Sequence, residues 1–185
     1  MKRVLVAALY TALLAGANAA VADPAIADLR EGSMKKLVVH SDPKPSSVAQ
    51  FETFDGDPMA LADYQGKVVV LNFWATWCAP CRKEMPALNA LQTEFGGEDF
   101  DVVTVATGRQ STTGITKFFD EENINALPKH RDPKQGLARS MAVLGLPVTV
   151  VLDRDGNEIA RLVGDAEWHS DSARAIVSAL IAGQS

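Results

Sequence analysis

Cys78-Ala79-Pro80-Cys81 holds the side chains of this sequence best suited to chemistry. Two thiols separated by two residues can close and open a disulfide, or supply half of a four-sulfur metal site. They are the only cysteines in the chain, so no second pair exists to complete a zinc site, and His40, His130 and His169 are scattered. A purely structural bridge is weakly motivated, because closing so short a loop constrains little of the unfolded chain. Thiol–disulfide chemistry is the reading that this spacing favours.

The flanking elements give the pair its expected setting. Residues 68–74 (Val-Val-Val-Leu-Asn-Phe-Trp) are too short for a helix and rich in β-branched side chains, so they read as a buried central strand. Residues 79–95 read as a helix, with Met85, Leu88, Leu91 and Phe95 on one face and Gly96-Gly97 ending it. The first cysteine therefore falls at a helix N-terminus, where unpaired N–H groups and the positive end of the dipole favour a thiolate. Cys78 is expected to have a lowered pKa and to be the attacking sulfur. Cys81, one turn on, is expected to be more buried and to resolve a mixed disulfide. Pro80 suits a first helical turn, where its missing N–H has no helical partner to lose. Glu84 follows Cys81 by three residues and lies on the same helix face, which fits a proton acceptor for Cys81. An ordinary solvated glutamate fits that spacing equally well.

The remaining chain completes an α/β pattern. Residues 26–39 read as a short helix or lead-in, and 42–47 as a loop. Residues 48–53 and 58–61 flank Asp55-Gly56 as a small hairpin. Residues 101–106 read as a second buried strand, and 111–123 and 133–143 as helices. Strands at 148–152 and 158–163 surround Asp155-Gly156, and an amphipathic helix at 170–181 closes the chain with Ser170 or Asp171 as cap. This order predicts one α/β domain with a mixed central sheet flanked by helices.

The N-terminus reads as an address. Lys2-Arg3 precede an apolar run and two small-x-small sites, the layout of a secretory signal peptide over residues 1–22. The cut after Ala22 is preferred; an uncleaved anchor is the alternative, since 4–22 is just long enough to cross a bilayer. Either form places the domain outside the cytoplasm, in the oxidising periplasm. The net charge is −5, and losing Lys2 and Arg3 takes it to −7, so nucleic acid is not an expected partner. With 47% hydrophobic and 22% charged residues, the composition is globular and argues against a disordered tail, a collagen-like chain or a multi-span membrane protein. No dinucleotide, flavin or haem signature is present, so no cofactor and no metal are expected.

The segment Asn72-Phe73-Trp74-Ala75-Thr76-Trp77-Cys78-Ala79-Pro80-Cys81-Arg82-Lys83-Glu84-Met85-Pro86 resembles the active site of the thioredoxin-like TlpA family, which includes the ResA and CcmG-type reductases. Gly145-Leu146-Pro147-Val148-Thr149 resembles that family's second active-site loop, and Gly164-Asp165-Ala166-Glu167-Trp168 the TlpA branch in particular. The resemblance covers residues 48–182. It implies a thioredoxin fold over 48–185, an extension at 23–47 before it, and an inserted helical segment at 111–125. It implies a cis peptide before Pro147, whose loop lies beside the cysteines and pairs with an extended client segment. Trp77, Pro80, Leu146 and Pro147 are then the client-binding set, with Cys78, Cys81 and Glu84 the catalytic one. Trp74 is expected in the core, and His130 and His169 on the surface. Where cytoplasmic thioredoxins carry a buried aspartate, this chain has Asn72, which cannot titrate, leaving Glu84 as the carboxylate; Asn72 itself is expected to serve the strand by hydrogen bonding.

The implied activity is reduction of disulfides in partner proteins, with electrons from a membrane thiol carrier. The TlpA branch implies clients among copper-site assembly factors of cytochrome oxidase, and the cytochrome c branch implies apocytochrome c. Two other classes stay open: a copper-binding metallochaperone using the cysteines as soft ligands, and an oxidase that donates disulfides, since the motif does not fix a potential.

Overall fold

A computed structural model describes residues 24–183. The signal peptide expected at 1–22 lies outside the described residues. Among the described residues no helix is long and apolar enough to cross a membrane.

Val68–Trp74, here β4, is buried at every position and lies in the middle of the sheet. Its period-2 alternation sends Val69, Leu71 and Phe73 to one face and Val70, Asn72 and Trp74 to the other. Numbering in chain order, the other strands are β1 (Val38–Pro45), β2 (Phe51–Glu52), β3 (Pro58–Met59), β5 (Phe100–Thr107), β6 (His130–Asp132), β7 (Val148–Leu152) and β8 (Asn157–Val163). The helices are α1 (Pro24–Asp28), α2 (Ala79–Phe95), α3 (Thr112–Glu121), α4 (Gly136–Ser140) and α5 (Asp171–Ala182). The sheet runs β1-β8-β7-β4-β5-β6-β2-β3. β4–β5 and β5–β6 are parallel, and the other neighbours are antiparallel. The mixed sheet expected from the element order is therefore present.

Each sheet face has its own core. Met85, Leu88 and Leu91 of α2 pack with Ile115, Phe118 and Phe119 of α3, and with Ile176 and Val177 of α5. The other face buries Leu71, Phe73, Val103 and Val150 against Leu137 and Met141. Thus α2, α3 and α5 cover one side and α4 the other.

β4 and α2 occupy the spans expected of them. At the C-terminus of α2 a Cβ on Gly96 would lie 2.5 Å from the carbonyl oxygen of Gln92, so only glycine fits there. The β7–β8 hairpin turns through Gly156 at φ +82°. Ser111 and Ser170 cap α3 and α5 by accepting from Gly114 N–H and Ala173 N–H.

Three local expectations are corrected. Residues 38–45, expected to run from a helical lead-in into a loop, form the edge strand β1 paired to β8. Pro43 and Pro45 are tolerated there because an edge strand has a free side. The helix expected over 133–143 shrinks to α4, bounded by Gln135 at φ +56° and Ala142 at φ +53°. The carboxylate of Asp132 accepts from Gly136 N–H and Ala138 N–H, both at 2.8 Å, and so starts the helix later than the pattern suggested. β6 was not expected, because His-Arg-Asp carries no apolar signal. Residues 24–45 bury Ile26, Met34 and Leu37 in the same core as α2.

Phe73 is fully buried between β5 and β7. The Phe73→Ala variant is expected to lose about 3–5 kcal/mol of stability, read from reversible urea unfolding. A loss below about 1 kcal/mol would contradict the packing described for this face.

Candidate active site

The parallel pair β4–β5 delivers the chain end of β4 to the N-terminus of α2. The connecting loop is braced by Gln110, whose carbonyl oxygen accepts from Thr76 N–H at 2.7 Å while its amide donates to Thr107 O at 3.1 Å. Cys78 is the N-cap of α2, and its Sγ accepts from Cys81 N–H at 3.3 Å. Cys78 and Cys81 are joined as a disulfide, with Cα atoms 5.3 Å apart. Cys81 is fully buried and Cys78 is 5% exposed, while Trp77 beside them is 72% exposed. Trp74 is in the core, in contact distance of Phe118 and Phe119. Pro80 sits, exposed, at the second helical position of α2.

Pro147 precedes β7, and the pairing of Phe73 with Val148 puts it beside the end of β4. The Leu146–Pro147 peptide is cis. Pro147 is buried, Leu146 half-buried and Leu144 almost fully exposed. The structure thus brings Trp77, Cys78, Cys81, Leu146 and Pro147 to one end of the sheet.

Glu84 is where the structure adds most. The solvated glutamate that the spacing also allowed is replaced by a carboxylate only 3% exposed. Its Oε1 accepts from Asn72 Nδ2 at 2.9 Å, and its Oε2 accepts from Ala166 N–H and Trp168 Nε1, both at 3.1 Å. Burial pushes its pKa up to about 7; the bonds from Asn72, Ala166 and Trp168 oppose that rise, and Asp165 adds to it. Asn72 does more than serve its strand. Its amide also donates to Thr149 Oγ1 at 2.9 Å, directly across the β4–β7 pair.

Sequence reasoning did not assign roles to Ala166, Trp168, Thr149 or Gln110. Trp168 carried a signal, because a buried indole N–H needs an acceptor, and it is 2% exposed. The loop that carries it also donates from Gly164 N–H to Pro147 O at 3.0 Å. Arg82 stacks over the Phe118 ring at 4.5 Å, and Lys83 lies 3.6 Å from Asp165. His169 is exposed against Glu94, as expected of a surface residue. His130, expected on the surface, is half-buried and bonded to the Tyr64 hydroxyl at 2.8 Å; burial pushes its pKa down. His40 is bonded to Glu158. Among the described residues no group of three or more histidine, cysteine or carboxylate side chains is arranged to hold a metal ion.

A mixed sheet with helices on both faces, a cysteine pair at the start of a helix and a cis-proline loop beside it define a thioredoxin-like protein. A family model described as Redoxin matches residues 35–177, and the chain belongs to that family. The chain is 36% identical over 105 residues to the thioredoxin-like protein YneN of Bacillus subtilis, covering 57% of this chain and 61% of that one. It is 32% identical over 111 residues to the thiol-disulfide oxidoreductase ResA of Bacillus thuringiensis subsp. konkukian, covering 60% and 63%. It spans about three fifths of the length of these curated relatives. Among solved structures it is similar to a thiol:disulfide interchange protein of the thioredoxin family from Chlorobium tepidum, with a TM-score of 0.63 and 28% identity. That likeness covers 77% of this chain and 99% of that one.

The Glu84 carboxyl has a pH consequence. Its folded pKa lies above its unfolded one, so its contribution to stability is fully present below about 4.5 and is lost as the pH rises through about 7. The shift corresponds to on the order of 3 kcal/mol. Unfolding free energy measured between pH 4 and 8 is expected to fall across that window, and Glu84→Gln is expected to flatten the fall. Trp168→Phe removes a donor to the ionised form, raises the carboxyl further, and is expected to extend the fall to higher pH and enlarge it. Equal pH profiles for all three proteins would contradict this electrostatic account.

Proposed function

We propose that this protein is a periplasmic thiol–disulfide oxidoreductase that reduces disulfides in partner proteins through Cys78 and Cys81. The observation that carries the reading is the sulfur of Cys78 at the N-cap of the 17-residue helix α2, facing the Cys81 N–H at 3.3 Å. That position stabilises negative charge on Sγ and so favours the attacking thiolate once the pair is reduced. Exposed Trp77 beside it and Leu146-Pro147 across from it give a client segment a surface to lie on. Pro80 completes that contact set.

The Cys78 thiolate attacks one sulfur of the client disulfide. A mixed disulfide forms, and the other client sulfur leaves as a thiolate that takes up a proton. Glu84 accepts the Cys81 proton, directly or through a water. The Cys81 thiolate then attacks the Cys78 sulfur, the Cys78–client bond breaks as the Cys78–Cys81 bond forms, and the second client sulfur leaves as a thiolate that takes up a proton from water. Two electrons pass from the protein to the client, and the protein is left as the Cys78–Cys81 disulfide. Re-reduction requires a dithiol donor, which we assign to a membrane protein. Lys2-Arg3 and the apolar run behind them support export of the domain to the periplasm, with the leader either cleaved or retained as an anchor. Within this reading, the clients are copper-site assembly factors of cytochrome oxidase, with apocytochrome c as the second candidate class.

The test is the equilibrium potential of the Cys78–Cys81 pair in a redox buffer. A value at or below about −220 mV is expected for a dedicated reductant, and one above about −150 mV would make the protein a disulfide donor instead. The Cys81→Ser variant is expected to accumulate mixed disulfides with clients on non-reducing gels, and Cys78→Ser to form none.

A further inference from the structure

Two adjoining depressions extend away from the cysteines on the side of α4. The first, of about 240 Å³, has an apolar wall of Trp77, Val143, Leu144 and Leu146, with Arg139 and Gln135 at its edge. The second, of about 430 Å³, lies between Gly108-Arg109 and Pro133-Lys134 and shares Gln135 with the first. The two loops meet there. Gly108 N–H donates to Asp132 O at 3.0 Å, and the Gln135 amide approaches Gly108 so closely that a Cβ on Gly108 would lie 3.1 Å from it. Together they form one trough that begins at the residue before Cys78 and ends between two cations.

The charge along the trough departs from that of the molecule. The chain is acidic, at −5, yet Arg109, Lys134 and Arg139 are exposed and neither depression is lined by a carboxylate. Of the sixteen lysines and arginines among the described residues nine lie within 4.0 Å of a carboxylate; these three are among the seven that do not, and they are gathered on this one surface. The guanidinium of Arg139 instead donates to the carbonyl of Lys134 at 2.6 Å, which holds it over the trough with its charge uncompensated. The nearest acidic side chain of this region in sequence, Asp132, is buried and spent on the N-terminus of α4.

We infer that this trough is the client-recognition surface, and that it selects disulfide proteins which present an apolar side chain next to the reactive cysteine and acidic residues a few positions beyond it. The inference rests on the proposed disulfide exchange at Cys78 and adds the chemistry of the partner. The apolar wall takes the side chain flanking the client cysteine, and Arg139, Lys134 and Arg109 take the carboxylates. Complementary charge of this kind acts chiefly on the association rate and is screened by salt.

The test uses the reduced full chain and two disulfide-bridged peptides of one length. Both carry a leucine beside the bridge; one has three aspartates beyond it and the other three lysines. Rates are read by acid quench, alkylation and mass spectrometry, each normalised to the rate with dithiothreitol. The acidic peptide is expected to be reduced about tenfold faster than the basic one at low ionic strength, with the preference falling to within about twofold at 0.5 M salt. The triple variant Arg109→Glu, Lys134→Glu, Arg139→Glu is expected to prefer the basic peptide. Equal rates at low salt, or a preference that survives the charge reversal, overturn the inference. Hydroxyethyl disulfide separates the two levels of the argument. If it is reduced while the peptides are not distinguished, only the recognition surface is wrong. If neither it nor either peptide is reduced, the oxidoreductase reading fails and takes this surface with it.

Discussion

A carboxylate inside a core is tolerated only when its oxygens are taken up by donors. Glu84 draws those donors from a strand side chain, a loop backbone and a loop indole: Asn72, Ala166 and Trp168. Each bond ties α2 to something else. The Asn72 bond fixes which face of α2 is turned toward β4, and the other two fix the 164–168 loop against the helix. Because Cys81 lies on the same helix face three residues before Glu84, the rotation set by the carboxylate also sets where the cysteine pair stands. The loop then passes the constraint on, since Gly164 N–H holds the carbonyl of Pro147. The two halves of the site, cysteines and proline loop, are thus referred to one buried charge.

That arrangement explains why an amide stands at position 72. Its Nδ2 faces both Glu84 Oε1 and Thr149 Oγ1 at 2.9 Å. An aspartate there would set two carboxylates within hydrogen-bond distance, and one would have to stay protonated. Asn72 supplies donors where the site needs them, at the expense of leaving its own Oδ1 without a partner. The titratable group is then Glu84 alone, poised near neutrality by burial working against three donors.

The legible parts of the fold were those where one force dominates the local sequence. β4 could be read because every residue but Asn72 is apolar, and α2 because Met85, Leu88 and Leu91 repeat at helical spacing. α3 could be read from its apolar stripe, Ile115, Phe118 and Phe119, and α5 from a cap at Ser170 followed by another such stripe. β1 could not, since after its two valines Val-Val-His-Ser-Asp-Pro-Lys-Pro has neither alternation nor β propensity, and its pairing to β8 is a long-range event. The residues 133–143 misled because their helical pattern was real but was cut short by two left-handed residues and by the buried Asp132 carboxylate. At the site, the cysteines, Pro147 and Glu84 were visible as residues. The partners of Glu84 were not, because a contact across 84 positions of chain leaves no local trace.

Burial gives the two cysteines different work on the proposed reading. Cys81 is sealed, so a client's disulfide can reach only Cys78. Cys81 must nevertheless lose a proton in that sealed place before it can attack, and a thiol surrounded by apolar side chains holds its proton more tightly than one in water. A strongly acidic carboxyl would be too weak a base to help, and one kept neutral far above pH 7 could not accept the proton at all. A carboxyl raised to about 7 avoids both failures. It can take a proton during release of the client and give it back when the pair is reduced again. On that reading the donors on Glu84 do more than satisfy a buried charge: by opposing the rise that burial causes, they keep its proton affinity where both halves of the proposed cycle could use it.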